Sequence, residues 1–217
     1  MRTGSFIREE ENGRKPGKKN RQIEKKRAEL EEAAVKMCCR ENTTFDDFCG
    51  IYNSFLEDYK VEYNEKLYMT DAVKPSRRNH LPNSRYLLWK QNETIRYYDV
   101  DGRDYSELLD ELNLDSFEDV EISTYKLMTD HMDIMKRYDI RDQYELHNLL
   151  RKIVPEGSYH DFKCGRMPMI LFGSFDRDAV IEEMVIENAP IEVEELANLI
   201  HEESTSCCFL NSDALNL

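Results

Sequence analysis

The stretch "RYLLWKQNETIRYYDVDG", residues 85–102, decides how this chain is read. Two short runs of aromatic and aliphatic residues flank the polar tip Gln91-Asn92-Glu93. Tyr86 and Leu88 alternate with Leu87 and Trp89 on the first arm, and Ile95 and Tyr97 with Arg96 and Tyr98 on the second. Period-two alternation about a short polar tip predicts two antiparallel strands. A Gln91-Asn92 turn pairs Lys90 with Glu93, Leu88 with Ile95 and Tyr86 with Tyr97; an Asn92-Glu93 turn sets Trp89 opposite Arg96. The first register is preferred, because it opposes charge to charge and apolar to apolar. Trp89 and its apolar neighbours are expected in a core, which leaves Arg85, Lys90, Asn92 and Arg96 for the outside.

Upstream, residues 1–21 are polar and basic, with Gly13, Pro16 and Gly17 breaking any helix, and read as a disordered arm. From Gln22 the spacing of Ile23, Ala28, Leu30, Ala33, Ala34 and Met37 predicts an amphipathic helix. Thr43 or Thr44 caps a second helix, whose aromatic face carries Phe45, Phe48, Ile51, Tyr52, Phe55, Leu56 and Tyr59. A short third helix lies within "KLYMTDAVKPSRRNHLP", bounded by Pro75 and Pro82. Three helices followed by a hairpin (85–98) make one module over 22–103. Residues 104–120 read as an acidic linker helix carrying Leu108, Leu109, Leu112 and Leu114.

The second half holds a partial repeat. "ELHNLL" (145–150) and "ELANLI" (195–200) share Glu-Leu-x-Asn-Leu-aliphatic, each after a turn and an amphipathic helix. Asp142 is placed to cap the first copy, and Pro190 ends the helix before the second. Two further modules follow from this: a helix-turn-helix over 121–173 and a partial third over 178–203, with an irregular tail at 204–217. "TTFDDFCGIY" reads as the start of the corresponding helix in the first module.

"IEEMVIENAPIEVEELANLI" resembles the first two helices of bacterial winged-helix domains of the RNA polymerase delta subunit and HARE-HTH group, and "SRYLLWKQNETIRYYD" resembles their wing. The resemblance implies a mainly α fold with small β-hairpins, built of tandem winged-helix-like modules. The tail "HEESTSCCFLNSDALNL" departs from it by lacking a basic helix or hairpin, so the last module is expected to be truncated.

Charge sharpens the functional expectation. The net charge of −14 argues against a general nucleic-acid coat. Two basic islands interrupt it: residues 14–27 carry eight Lys or Arg against Glu24, and residues 74–96 carry six against Glu93. Lys74, Ser76, Arg77, Arg78 and Asn79 on the short third helix suit a major groove, where Arg reads guanine and Asn reads adenine. Arg85, Lys90, Asn92 and Arg96 suit phosphates along the hairpin. Double-stranded DNA is thus the expected partner and transcription regulation the expected role. The alternative is a scaffold that engages RNA polymerase, another transcription protein or another basic partner without touching DNA.

Other chemistry is not written here. The six cysteines form no C-x-x-C pair, the five histidines no ligand spacing, and no phosphate loop or nucleophile motif occurs. "DVDGRDYSELLDE" has Asp99, Asp101 and Asp104, but its Gly102 is too early for a calcium loop. No enzyme activity, cofactor or metal is expected. No apolar run nears the ~20 residues that cross a bilayer, and the start of the chain lacks a secretory signal. The expected location is cytoplasmic, without membrane partners.

Overall fold

The computed structural model describes residues 18–61 and 64–206. Residues 1–17 of the expected arm and 207–217 of the expected tail lie outside the described residues, whereas 18–21 and 204–206, expected to be irregular, are helical. What is described is mainly helical, with two small antiparallel sheets of three strands each.

The first sheet belongs to a unit formed by α1 (Lys18–Cys38), β1 (Thr43–Thr44), α2 (Phe45–Asp58), α3 (Lys74–His80), β2 (Leu87–Trp89) and β3 (Thr94–Tyr97). The second unit runs α4 (Ser106–Leu112), β4 (Val120–Ser123), α5 (Thr124–Asp130), α6 (Met132–Arg137), α7 (Gln143–Ile153), the one-turn α8 (Ser158–Asp161), β5 (Lys163–Cys164) and β6 (Met169–Phe172). A helical pair follows, α9 (Arg177–Asn188) and α10 (Val193–Ser206). The strand orders are β1-β3-β2 and β4-β6-β5, so each unit places its first strand against the last strand of its own hairpin.

Local chemistry fixes the helix starts. Thr44 caps α2 by accepting the Asp47 N–H at 3.1 Å, with Asp46 and Asp47 favourably placed at the positive end of the helix. Ser123 does the same for α5 and Asp142 for α7. The aromatic face of α2 buries Phe45, Phe48, Tyr52 and Phe55 as its spacing predicts, whereas Tyr59 at its end stays exposed.

Three expectations need correction. The hairpin takes neither of the two expected registers: Leu87 faces Tyr97, Leu88 faces Arg96 and Trp89 faces Ile95. Its tip has three residues, because Glu93 adopts a left-handed backbone (φ 56°) and its N–H bonds back to the Lys90 carbonyl at 3.0 Å. Residues 104–120 are not a linker, since α4 and the turn after it bury Leu108, Leu112 and Leu114 in the second unit's core. The helix equivalent to α2 is α5, which likewise follows a strand directly. The "ELHNLL" helix α7 instead precedes a hairpin, in the place of α3.

The hairpin β2–β3 lies between two cores. Leu87, Trp89 and Ile95 pack with α1 and α2 in the first. Leu88, Tyr98 and Val100 pack with Leu146, Leu149 and Leu150 of α7 in the second. Full burial of such side chains stabilises by roughly 1.5–3 kcal/mol each, so the shared hairpin joins the two units into one body.

Candidate interaction site at the seam between the units

Where α7 meets β2–β3, charged groups line the contact. Arg96 is 2% exposed and Glu145 is fully buried. Their side chains meet as a two-pronged pair, Nε to Oε1 at 3.0 Å and Nη2 to Oε2 at 2.7 Å. Arg96 also donates to the Asp139 carboxylate and to the Asp139 carbonyl, both at 2.7 Å. Arg141 adds its main-chain N–H to Glu145 Oε2 at 2.9 Å. Lys90, 5% exposed, pairs with Asp142 and lies 3.3 Å from Glu145 Oε1. Burial disfavours the charge of Asp139, but the Arg96 guanidinium outweighs it and holds that carboxyl below its ordinary range.

Main-chain groups complete the seam. Asn148 Oδ1 accepts the Trp89 N–H at 3.0 Å, and its Nδ2 donates to the Pro82 carbonyl at 3.1 Å. Lys152 Nζ donates to the Leu87 carbonyl at 2.6 Å, and Arg85 donates to the Lys152 carbonyl at 2.8 Å. Burial, reinforced by Arg85 and Arg151 nearby, pushes Lys152 down to about 7. On the far side of α7, His147 Nε2 sits 3.0 Å from the Met169 carbonyl, and burial pushes its ring down to about 4. The Asn148 and Lys152 contacts answer main-chain groups of the hairpin, and of the turn before it, that would otherwise lack partners at the seam.

The residues expected to face DNA are therefore divided. Lys90 and Arg96 point into the seam rather than outward, because the face of the hairpin that carries them is covered by α7. Arg85 pairs with Asp101 at its edge. Arg77 is spent on the buried Glu31 of α1, and Lys74 on Asp71. Arg78 is exposed but pairs with Asp46 and Glu93, its guanidinium 4.9 Å from the centre of the Phe45 ring. Ser76 and Asn79 are exposed on α3, and Asn92 is exposed at the tip, where it accepts from Thr94 Oγ1 at 2.7 Å. The structure thus brings Ser76, Arg78, Asn79 and Asn92 to the surface and turns Lys90 and Arg96 away from it.

The acidic half of the seam (Asp139, Asp142, Glu145) and Asn148 escaped the sequence reading. A signal was present: a glutamate and an asparagine on the leucine face of "ELHNLL", polar groups that such a face holds only for partners.

Comparison with protein-family models, with curated proteins and with solved structures gave no match. Among the described residues, no group of three or more His, Cys, Asp or Glu is placed to hold a metal ion. No helix among them is long and apolar enough to cross a membrane.

Proposed function

We propose that this protein is an interaction scaffold built from winged-helix-like units, engaging a basic partner such as a component of the transcription machinery without direct contact to DNA. One observation carries the reading: α7, the helix before the second hairpin, is buried from Glu145 to Leu150, and the side that carries Glu145 and Asn148 is covered by the first unit's hairpin. In a DNA-binding winged helix that element faces the major groove. Here its leucines, Glu145 and Asn148 hold protein. The matching strand order of the two sheets supports the winged-helix assignment. The internal pairing of Lys90, Arg96 and Arg77, in a chain of net charge −14, supports a protein partner over a polyanion.

A mobility-shift titration of the full chain with duplex DNA at 20–200 mM salt (roughly the range over which phosphate contacts weaken) tests this. No shift at the lowest salt is the expected result. A salt-sensitive shift abolished by Arg78→Ala/Asn79→Ala overturns it. That outcome belongs to a second reading, duplex contact through α3, which has one observation in its favour. Ser76, Arg78, Asn79 and His80 share an exposed helix immediately before the hairpin.

A further inference from the structure

The Glu-Leu-x-Asn-Leu sequence occurs twice, and its first copy has a visible job. Glu145 is the third residue of α7 and takes the Arg96 guanidinium through two bonds. Asn148, nearly a turn later, accepts the Trp89 N–H of the strand β2 and donates to the Pro82 carbonyl in the turn that precedes that strand. Leu146 and Leu149 are fully buried beside them. Together the four hold one arginine on β3 and one main-chain N–H of its neighbour strand β2.

The second copy sits in the same helical register. Glu195 is the third residue of α10, and the Leu196 N–H bonds to the Glu192 carbonyl at 2.9 Å, as the Leu146 N–H bonds to the Asp142 carbonyl at 3.1 Å. Yet Glu195 and Asn198 are exposed, and neither side chain makes a hydrogen bond or ion pair among the described residues. Leu196 and Leu199 are only half-buried. Around them α9 and α10 expose Val185 (37%), Ile186 (69%) and Val193 (81%). Asp178, Glu182, Glu183, Glu187, Glu192 and Glu194 are exposed on the same pair, and its cation Arg177 is already paired with Glu121. No residue of α9 is buried.

We infer that the α9–α10 pair is a docking face for an arginine-bearing extended segment of a partner protein, with Glu195 holding the guanidinium, Asn198 the main chain, and Leu196 and Leu199 the apolar side chains between them. The inference rests on the scaffold reading and names the chemistry of its partner. Charge selects that partner: the exposed carboxylates attract a basic strand and repel an acidic one, including the acidic surfaces of this chain. The apolar residues supply the area that charge alone does not.

The molecule itself provides a probe. A fluorescent peptide of residues 85–98, cyclised because an isolated hairpin is marginally stable, carries the Arg96 side chain and the Trp89 N–H that α7 already binds internally. Fluorescence anisotropy with the full chain is expected to show binding that weakens as salt rises. Glu195→Gln or Asn198→Ala in the chain, and Arg96→Ala in the peptide, are each expected to weaken it about tenfold or more. Circular dichroism should confirm that the chain variants keep their helix content. Absence of binding at low salt, or equal binding to the variants, overturns the inference. So does concentration-dependent self-association lost in the same variants, which assigns the face to a second copy. None of these results bears on the duplex-DNA titration, so the scaffold reading stands or falls separately.

Discussion

The helices α3 and α7 stand in the same place, each just before the hairpin of its unit, and meet opposite fates. The first is seven residues long, "KPSRRNH", and buries none of them. The second is eleven residues long, "QYELHNLLRKI", and buries six in succession. The difference follows from composition. Pro75 and six polar or charged residues give α3 no apolar face to bury. Leu146, Leu149 and Leu150 of α7 join the second unit's core, where Leu88 and Tyr98 of the first unit's hairpin meet them. Glu145 and Asn148 hold that hairpin by hydrogen bonds. Position in a fold therefore does not assign a role; what a helix carries on its outward face does.

The contrast can be broken by substitution. Glu145→Ala leaves Arg96 and Lys90 without their shared carboxylate inside the seam, and removing one member of a buried pair costs about 3–5 kcal/mol. Urea denaturation should show a loss of that size. A loss under about 1 kcal/mol, the range of exposed pairs, would mean that the seam is as dispensable as a surface contact.

A pH titration separates the helices next. The His147 ring is held near 4 in the folded chain, below its ordinary 6.5. The folded state thus resists a proton that the unfolded state accepts. Stability is full above pH 6.5 and falls as pH drops toward 4, by about 3 kcal/mol at most. His147→Gln should flatten that part of the stability profile. Lys152, held near 7, acts on the other side: the folded state sheds its proton first, so stability rises between pH 7 and the ordinary lysine range near 10.5. Lys152→Met should remove that rise.

Smaller effects complete the series. Asn148→Ala strands the Trp89 N–H and the Pro82 carbonyl and is expected to cost about 1–3 kcal/mol, measured by the same denaturation. Arg78→Ala on α3 removes exposed ion pairs and should change stability by less than about 1 kcal/mol. A large loss there would show that α3 is a second structural seam rather than a free surface.

Much of the architecture was legible in the residues. The hairpin, the burial of Trp89, the aromatic face of α2 and the Asp142 cap all follow from local chemistry and periodicity. The register did not, because it turned on one left-handed residue, Glu93, at a tip of ordinary composition. Nor did the direction faced by Lys90 and Arg96. In an alternating strand a cation ordinarily marks the wet face, and nothing local to residues 85–98 says that another fifty residues will cover that face with carboxylates. The seam became readable only as a pair of distant halves, a basic hairpin and a glutamate on a leucine-rich helix. Neither half identifies the other from sequence alone.

That separation also governs how the molecule is made. Arg96 and Glu145 lie 49 residues apart, so during synthesis at about 5–20 residues per second the hairpin leaves the ribosome several seconds before α7 does. For that interval the cover over Leu88, Tyr98, Lys90 and Arg96 has not yet been made. During that interval the first unit offers an apolar and basic face to chaperones or to misassembly, and synthesis of α7 ends that exposure.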